Sequence, residues 1–342
     1  QMLDERYARW QEHEAELKEM IDLPTEMLDG HRLELHANIQ GLVEVDGVCA
    51  SGASGIGLFR SEFLFMERAT LPTEEEQYQA YRAVLERMAP KAVTIRTLDI
   101  GGDKIVQDLG IDEKNPVLGW RAVRFCLSRK DIFTTQLRAL LRASVHGKLK
   151  IMFPMISGVE ELNAALHLLE HVKEECRIEG IAFDEKLEVG TMIEVPSAAL
   201  CADILAKRVD FFSIGTNDLI QYTIAVDRGN EKIAYLYQPF HPAVLRSIKM
   251  IVDMAHKEGI EVSLCGEMGS DPLCSVLLAG LGVDALSMGV QSLLQVRQIL
   301  RSVSSAEARE LAGQVLSMDS YQTINTYIRE WMHDRFDHLT TI

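Results

Sequence analysis

The chain has 342 residues, 47% of them hydrophobic, which is enough to bury a large core in one α/β domain or in two smaller ones. Its formal net charge of −16 at pH 7 argues against binding to nucleic acid or to an anionic membrane, because both require an excess of lysine and arginine on one face. The six cysteines lack paired spacing and no apolar run approaches the ~20 residues that cross a bilayer, so the sequence predicts a cytoplasmic protein with reduced thiols.

The first 30 residues are predicted to form a connector outside the main domain. Apolar residues recur on one helical face from Leu3 to Ile21 among many charged residues, which is typical of an amphipathic helix. Pro24 and Gly30 then end this pattern. From residue 31 onward the sequence changes to an alternation of strand and helix patterns.

Eight apolar β segments alternate with helical patterns over the rest of the chain. This alternation fits a (β/α)8 TIM barrel better than an open sheet, and the helical tail from Ser304 would lie outside the barrel. The predicted strands cover residues 33–39, 55–59, 92–98, 149–155, 188–195, 209–215, 260–266 and 285–289.

Polar residues stand at the ends of these predicted strands, where a barrel interior would be apolar. The active site of a (β/α)8 enzyme lies at the carboxyl ends of its strands, so these residues are candidates for a common site. They are Arg60 after the second strand, Arg96 in the third, Glu194 in the fifth, Asn217 and Asp218 after the sixth, and Cys265 in the seventh.

These residue types indicate an anion held together with a metal ion. A guanidinium offers a bidentate fork to phosphate or carboxylate, so several arginines at one mouth of the barrel predict a phosphorylated acid. Two carboxylates facing the same mouth, Glu194 and Asp218, would repel each other unless a cation lay between them, and Mg²⁺ suits such a pair. Cys265 has no neighbouring histidine in the sequence, which makes it a better proton donor or acceptor than a nucleophile.

Seven motifs in chain order give a family resemblance. The segments GIGLFRSEFLFM, RTLDIGGDK, NPVLGWRAVR, MFPMI, IEVPSAA, IGTNDLIQYTIAVDRGN and LCGEM resemble the phosphoenolpyruvate-binding domain of the enzyme I family, the phosphoenolpyruvate-protein phosphotransferases of bacterial sugar phosphotransferase systems. The resemblance runs from about residue 33 to about residue 300. It implies a (β/α)8 barrel that binds phosphoenolpyruvate with Mg²⁺ and forms a homodimer.

The resemblance also implies substrate-binding roles for particular residues. Arg60, Arg96 and Arg228 match the arginines that hold the phosphate and the carboxylate of phosphoenolpyruvate. Asn217 matches the amide beside them, and Arg121 in GWRAVR matches a motif arginine to which we assign a supporting place.

By the same resemblance Glu194 and Asp218 are the Mg²⁺ ligands, and Cys265 protonates the enolate as pyruvate forms. No histidine of the chain lies in the small-residue setting of the family's phosphohistidine segment. We therefore interpret residues 1–30 as a linker to an N-terminal phosphohistidine domain that this chain lacks, and residues 31–342 as the phosphoenolpyruvate-binding barrel with C-terminal helices. In the longer protein the phosphoryl group would pass to an HPr-like phosphocarrier protein.

Simpler interpretations exist for several of these residues. Arg60 and Arg96 are open to a structural interpretation in which they pair with the neighbouring acids Glu62 and Asp99. The Asn-Asp pair after the sixth strand is of the type that caps a following helix. Cys265 would ordinarily be a packed thiol, and the GGDK segment at residues 101–104 is equally compatible with a plain turn.

Three functional interpretations follow from the sequence. The favoured one is an enzyme I barrel, of either the sugar type or the nitrogen-related type. The second is the homologous barrel of pyruvate phosphate dikinase or phosphoenolpyruvate synthase, against which AVDRGN argues. The third is a non-catalytic dimerisation module that senses phosphoenolpyruvate, which the intact set of candidate site residues disfavours.

Overall fold

The structure is a computed structural model, and it describes residues 15–66, 68, 70–101 and 115–340. The predicted connector helix therefore lies partly outside the described residues, and the part that is described, residues 15–19, is helical. Residues 102–104 of the GGDK segment also lie outside the described part.

The central element is a closed barrel of eight parallel strands in sequential order, in which β8 pairs with β1. This confirms the predicted (β/α)8 barrel. The strands are β1 (Glu34–Ile39), β2 (Gly55–Arg60), β3 (Ala92–Arg96), β4 (Lys148–Phe153), β5 (Glu188–Ile193), β6 (Phe211–Ile214), β7 (Glu261–Leu264) and β8 (Ala285–Met288).

Helices follow the strands and cover the outside of the barrel, and two more helices come after the barrel in the chain. None of the helices in the described part is long and apolar enough to span a membrane. They are α1 (Val45–Ala50), α2 (Glu74–Met88), α3 (Ala122–Ser128), α4 (Lys130–Ala143), α5 (Val159–Glu179), α6 (Pro196–Leu200), α7 (Ala202–Ala206), α8 (Thr216–Thr223), α9 (Pro242–Lys257), α10 (Glu267–Ser270), α11 (Pro272–Leu281), α12 (Val290–Arg301), α13 (Ser305–Ser317) and α14 (Tyr321–Thr340).

Local sequence signals explain several helix boundaries. Thr73 and Glu76 form a capping box at the start of α2, and Ser304 and Glu307 do the same at the start of α13. Residues 197–208 have a helical sequence pattern, but the structure divides them into α6 and α7, because Cys201 has non-helical backbone angles of φ −112° and ψ 22°. The extra C-terminal helices predicted from residue 304 are present.

Six strands end one or two residues before the predicted boundary. The strand predicted over residues 92–98, for example, ends at Arg96, and the strand predicted over residues 188–195 ends at Ile193. The apolar run continues beyond the last ladder bond in both cases, because Leu98 and Val195 still pack against the core after the backbone has left the sheet. A continuous apolar run therefore predicts burial better than it predicts the end of strand pairing.

The inside of the barrel is filled beneath its carboxyl end. Leu58, Met152, Met192 and Phe211 form a small apolar cluster together with Cys265, separate from the larger core between the strands and the helices. Such a packed interior is usual for a (β/α)8 barrel, which is not a pore. The cluster provides an apolar floor below the polar residues at the strand ends.

Candidate active site

All eight candidate site residues lie around one cavity of about 430 Å³ at the carboxyl end of the barrel. The fold explains this convergence, because parallel strands of a barrel all end at the same face. The eight residues are Arg60, Arg96, Arg121, Glu194, Asn217, Asp218, Arg228 and Cys265. Other polar residues around the cavity include Asn38, Glu44, Asp99 and Glu267.

Arg60 and Arg96, at the ends of neighbouring strands, share one buried carboxylate. Arg60 Nε lies 3.1 Å from Glu62 Oε1, and Arg96 Nη2 lies 2.6 Å from the same oxygen. The Glu62 side chain is completely buried, whereas that of Arg60 is one-third exposed at 33%. Glu62 therefore orients both guanidinium groups, and the structural pairing of Arg60 with Glu62 is present.

A second carboxylate, Asp99, continues this network towards Arg121. Arg96 Nη2 lies 3.1 Å from Asp99 Oδ2, and Arg121 Nη2 donates a hydrogen bond of 3.1 Å to Asp99 Oδ1. Arg121 Nη2 also donates to Asp218 Oδ2 at 3.0 Å. Buried charges are tolerated when they are paired and hydrogen-bonded in this way. Positive and negative groups thus alternate across the mouth of the barrel.

Two of these arginines still have unused donors. Arg96 Nε and Arg121 Nε are buried and have no hydrogen-bond partner among the described residues. An unpaired buried donor is energetically costly, so two of them beside one cavity favour a ligand that brings acceptor oxygens. Arg228, which is more exposed, stands on the other side, with Nη2 4.0 Å from Asp218 Oδ1.

Glu194 is a buried carboxylate in an environment that disfavours its charge. Burial, with repulsion from Asp218 and Asp99, raises the pKa of Glu194 to about 8, although Arg96 and Arg121 act in the opposite direction. Its Oε1 accepts a hydrogen bond of 2.7 Å from the Met155 backbone. A cation bound beside Asp218 would therefore stabilise the ionised form of Glu194.

The residues present fit a hard divalent cation that is only partly coordinated by protein. Glu194 and Asp218 supply carboxylate oxygens, which Mg²⁺ prefers, and Mg²⁺ usually takes one or two such groups and completes its shell with water and phosphate. Across the described ranges, no group of three or more histidine, cysteine or acidic side chains is arranged to hold a metal ion. The donor set thus suits an ion that is shared with a substrate.

Cys265 lies just beyond β7, above the apolar floor. It is only 6% exposed, and its thiol is 3.7 Å from the backbone oxygen of Ile214. Burial raises the pKa of this thiol to about 11, so the group keeps its proton at neutral pH. The thiol is therefore suited to donate a proton rather than to attack as a thiolate.

The segments that follow β6 and β7 are held tightly together. Asn217 Nδ2 donates to Glu267 Oε1 at 3.1 Å, and Asn217 Oδ1 accepts from the Glu267 backbone at 2.9 Å. A Cβ on Gly266 would lie 1.8 Å from Thr216 Oγ1, so this approach requires glycine. Asn217 thereby joins the two loops at the mouth of the barrel.

The capping interpretation of the Asn-Asp pair is wrong. The cap residue of α8 is Gly215, no side chain caps it, and Asn217 and Asp218 lie within the first turn of the helix. Their side chains instead contact Glu267 and Arg121. The helix begins two residues earlier than a cap at Asn217 would require.

Sequence reasoning missed Asn38 at the end of β1. Its Nδ2 donates to the backbone oxygens of Cys265 at 3.0 Å and Ser287 at 3.2 Å, and its Oδ1 accepts from Ser287 Oγ at 2.6 Å. A signal was present, because strict alternation along β1 places Asn38 on the same face as His36, inside the barrel. A polar residue at an inward position near a strand end predicts a place at the mouth.

The comparisons with known proteins agree with this geometry. Residues 14–305 match the family described as PEP-utilising enzyme, PEP-binding domain. The chain is 49% identical over 331 residues to a phosphoenolpyruvate-protein phosphotransferase of Priestia megaterium, covering 96% of this chain and 58% of that protein. Proteins of the same name from Bacillus subtilis (strain 168) and Haemophilus influenzae (strain ATCC 51907 / DSM 11121 / KW20 / Rd) are 48% and 49% identical, over 96% and 95% of this chain and 58% and 57% of their own lengths.

The chain thus spans about 58% of the length of the first of these relatives. The match includes all eight strands of the barrel and every candidate site residue. The resemblance to the enzyme I family that the seven motifs indicated is confirmed by these similarities. The chain belongs to the family of PEP-utilising enzymes and carries their PEP-binding domain.

Proposed function

We propose that this chain binds phosphoenolpyruvate together with Mg²⁺ at the carboxyl end of its barrel. In a longer protein, the bound phosphoenolpyruvate would donate its phosphoryl group to a histidine as the first step of a phosphotransferase system, and pyruvate would be released. The observation that carries this proposal is the shared cavity, where four arginines, two buried carboxylates and a protonated thiol converge. The relatives named phosphoenolpyruvate-protein phosphotransferase favour this reaction over that of a dikinase.

The arginines provide the binding energy for a substrate with two anionic groups. Arg60, Arg96 and Arg228 would hold the phosphate and the carboxylate, with Asn217 beside them and Arg121 in support. The orientation of Arg60 and Arg96 by Glu62 means that little side-chain freedom is lost on binding. Positioning and charge neutralisation are the main requirements of phosphoryl transfer, and this arrangement supplies both.

Glu194 and Asp218 would hold the cation. When bound, Mg²⁺ would neutralise charge on the phosphate oxygens during transfer. Departure of the phosphoryl group leaves the enolate of pyruvate, whose methylene carbon needs one proton. Cys265 would donate its thiol proton to that carbon, which yields pyruvate and a thiolate that regains a proton from water. The apolar floor beneath Cys265 would keep other proton donors away from the carbon.

The location, the oligomeric state and the phosphate acceptor are properties of the whole protein. We infer a cytoplasmic homodimer that passes phosphate to an HPr-like phosphocarrier protein through an upstream phosphohistidine domain. The family of the relatives supports this setting, in either the sugar type or the nitrogen-related type.

Titration calorimetry of phosphoenolpyruvate with and without Mg²⁺ tests the proposal. In the parent chain we expect Mg²⁺ to strengthen phosphoenolpyruvate binding, because the ion bridges protein and substrate oxygens. Glu194→Gln removes one ionised ligand, so the Mg²⁺-dependent part of the affinity should largely disappear. Equal phosphoenolpyruvate affinity with and without Mg²⁺ in the parent would contradict the assigned metal site.

We also predict that Mg²⁺ binding releases a proton from Glu194, which the same titrations can measure. Because the pKa of Glu194 is raised to about 8, this carboxyl retains a proton at pH 7 in the absence of metal. Mg²⁺ must displace that proton, so the affinity for the ion should rise with pH until about pH 8 and then level off. Titrations in buffers with different ionisation enthalpies measure the released proton, and Glu194→Gln should abolish the release.

A further inference from the structure

In this structure Arg121 is hydrogen-bonded to Asp218, one of the two proposed metal ligands. Arg121 Nη2 donates to Asp218 Oδ2 at 3.0 Å, and both side chains are almost completely buried, at 6% and 8% exposure. The other oxygen of Asp218 faces Arg228 Nη2 at 4.0 Å. Each carboxylate oxygen of Asp218 is therefore directed towards a guanidinium group.

A divalent ion bound to Oδ2 of Asp218 would displace or repel this guanidinium. Mg²⁺ binds carboxylate oxygens at ~2.0–2.1 Å, so an ion on Oδ2 would be a close like-charge neighbour of Arg121. Repulsion between such charges is strong in a buried site because solvent screening is weak. The ion and Arg121 therefore compete for the same oxygen.

Arg121 has a second partner that would keep it at the site after it leaves Asp218. Its Nη2 also bonds Asp99 Oδ1 at 3.1 Å, and its Nη1 lies 3.2 Å from the Tyr222 hydroxyl. Its Nε is buried without a partner among the described residues. A rotation about the Asp99 contact would give these donors to an anion in the cavity.

We propose that Arg121 closes the metal site in the ligand-free protein by occupying Asp218, and that the phosphate group of the substrate opens it by taking Arg121 as its own partner. This inference rests on the proposed function, since it concerns the same phosphate and the same cation. It goes beyond a supporting role for Arg121, because it makes the arginine an inhibitor of metal binding until substrate arrives. Metal and substrate affinities are then coupled through this side chain in addition to the oxygens that the ion shares with the substrate, and the coupling is reciprocal.

Binding of Mn²⁺ to the chain, followed by electron paramagnetic resonance with and without phosphoenolpyruvate, tests this inference. The variants are Arg121→Gln, which removes the guanidinium, and Arg121→Lys, which keeps a charge but has one ammonium group in place of the planar guanidinium that contacts Asp218 and Tyr222 through two nitrogens. Arg124→Gln is the matched control, because Arg124 lies on α3, which begins directly after Arg121, and contacts Glu161 rather than Asp218. Thermal unfolding of each protein verifies that it folds.

We expect Arg121→Gln to bind Mn²⁺ alone at least ~5-fold more tightly than the parent, although a general weakening of the site would predict the reverse. The Mn²⁺ affinity of Arg121→Lys should lie between those of the parent and Arg121→Gln. The Mn²⁺ affinity of Arg124→Gln should match that of the parent within about twofold. Phosphoenolpyruvate should tighten Mn²⁺ binding strongly in the parent and much less in Arg121→Gln. If Arg121→Gln does not fold, the comparison of Arg121→Lys with the parent decides.

Two negative results remain distinguishable. A parent chain that binds neither Mn²⁺ nor phosphoenolpyruvate would contradict the proposed function itself. A parent chain that binds both, with Mn²⁺ affinity unchanged or weakened in Arg121→Gln and Arg121→Lys, would overturn only the inference about Arg121. An equal gain of Mn²⁺ affinity in Arg124→Gln would also overturn it, because net charge alone would then explain the effect.

Discussion

Replacement of Arg96 by alanine is expected to weaken phosphoenolpyruvate binding by about 2–5 kcal/mol, the range measured when one partner of a buried charge pair is removed. Arg96 is only 6% exposed and lines the cavity, and its buried Nε has no hydrogen-bond partner among the described residues. Calorimetry at saturating Mg²⁺ measures the loss. Arg96→Lys keeps the charge without the fork, so it should lose part of the affinity.

Loss of Arg96 also leaves Glu62 and Asp99 with one cation fewer inside the protein. The free energy of unfolding should therefore fall as well, and the affinity must be measured below the unfolding temperature of the variant. Arg82→Ala is a suitable control, because Arg82 forms an exposed pair with Glu86 on α2, away from the cavity. An Arg96→Ala protein that is folded and binds phosphoenolpyruvate like the control would contradict the assigned phosphate site.

Replacement of Cys265 by alanine is expected to separate binding from turnover. The thiol lies over an apolar floor and carries no charge at neutral pH, so its loss should change phosphoenolpyruvate affinity by no more than about twofold. Formation of pyruvate should be almost abolished, because the enolate would lack its proton donor. The assay is pyruvate release by the full-length protein, supported by exchange of solvent deuterium into the pyruvate methyl group.

The matched control for this variant is Cys201→Ala. Cys201 lies at the break between α6 and α7 and does not line the cavity. It should leave both the affinity and the exchange rate unchanged. If Cys265→Ala protonated pyruvate at the parent rate, Cys265 would be a packed core thiol and the proton would have to come from water or another residue at the mouth.

The strand order and the convergence of the candidate residues were predictable from sequence for a physical reason. In a parallel barrel every strand ends at the same face, so a polar residue at each strand end is sufficient to place Arg60, Arg96, Glu194 and Cys265 together. No distance between them is needed for that prediction. Alternation along β1 directs Asn38 into the barrel near the end of the strand, so the same rule also predicts that Asn38 lies at the mouth.

The network of contacts was not predictable in the same way. Arg121 lies 97 residues from Asp218 along the chain, and only the three-dimensional arrangement places its guanidinium on that carboxylate. The sequence presented the pairing of arginines with Glu62 and Asp99 as an alternative to ligand binding. In the structure the pairing is present, and Arg96 still has one buried donor, Nε, without a hydrogen-bond partner among the described residues. The two interpretations are therefore compatible.

We propose that the carboxyl end of this barrel holds phosphoenolpyruvate and a divalent ion in contact with each other. Electron–nuclear double resonance on the Mn²⁺ form, with phosphoenolpyruvate present, measures the hyperfine coupling between the ion and the substrate phosphorus. We predict a strong coupling, typical of direct phosphate coordination, that disappears in Glu194→Gln and Asp218→Asn at the same concentrations. A parent protein that binds both Mn²⁺ and phosphoenolpyruvate without any phosphorus coupling would contradict the account.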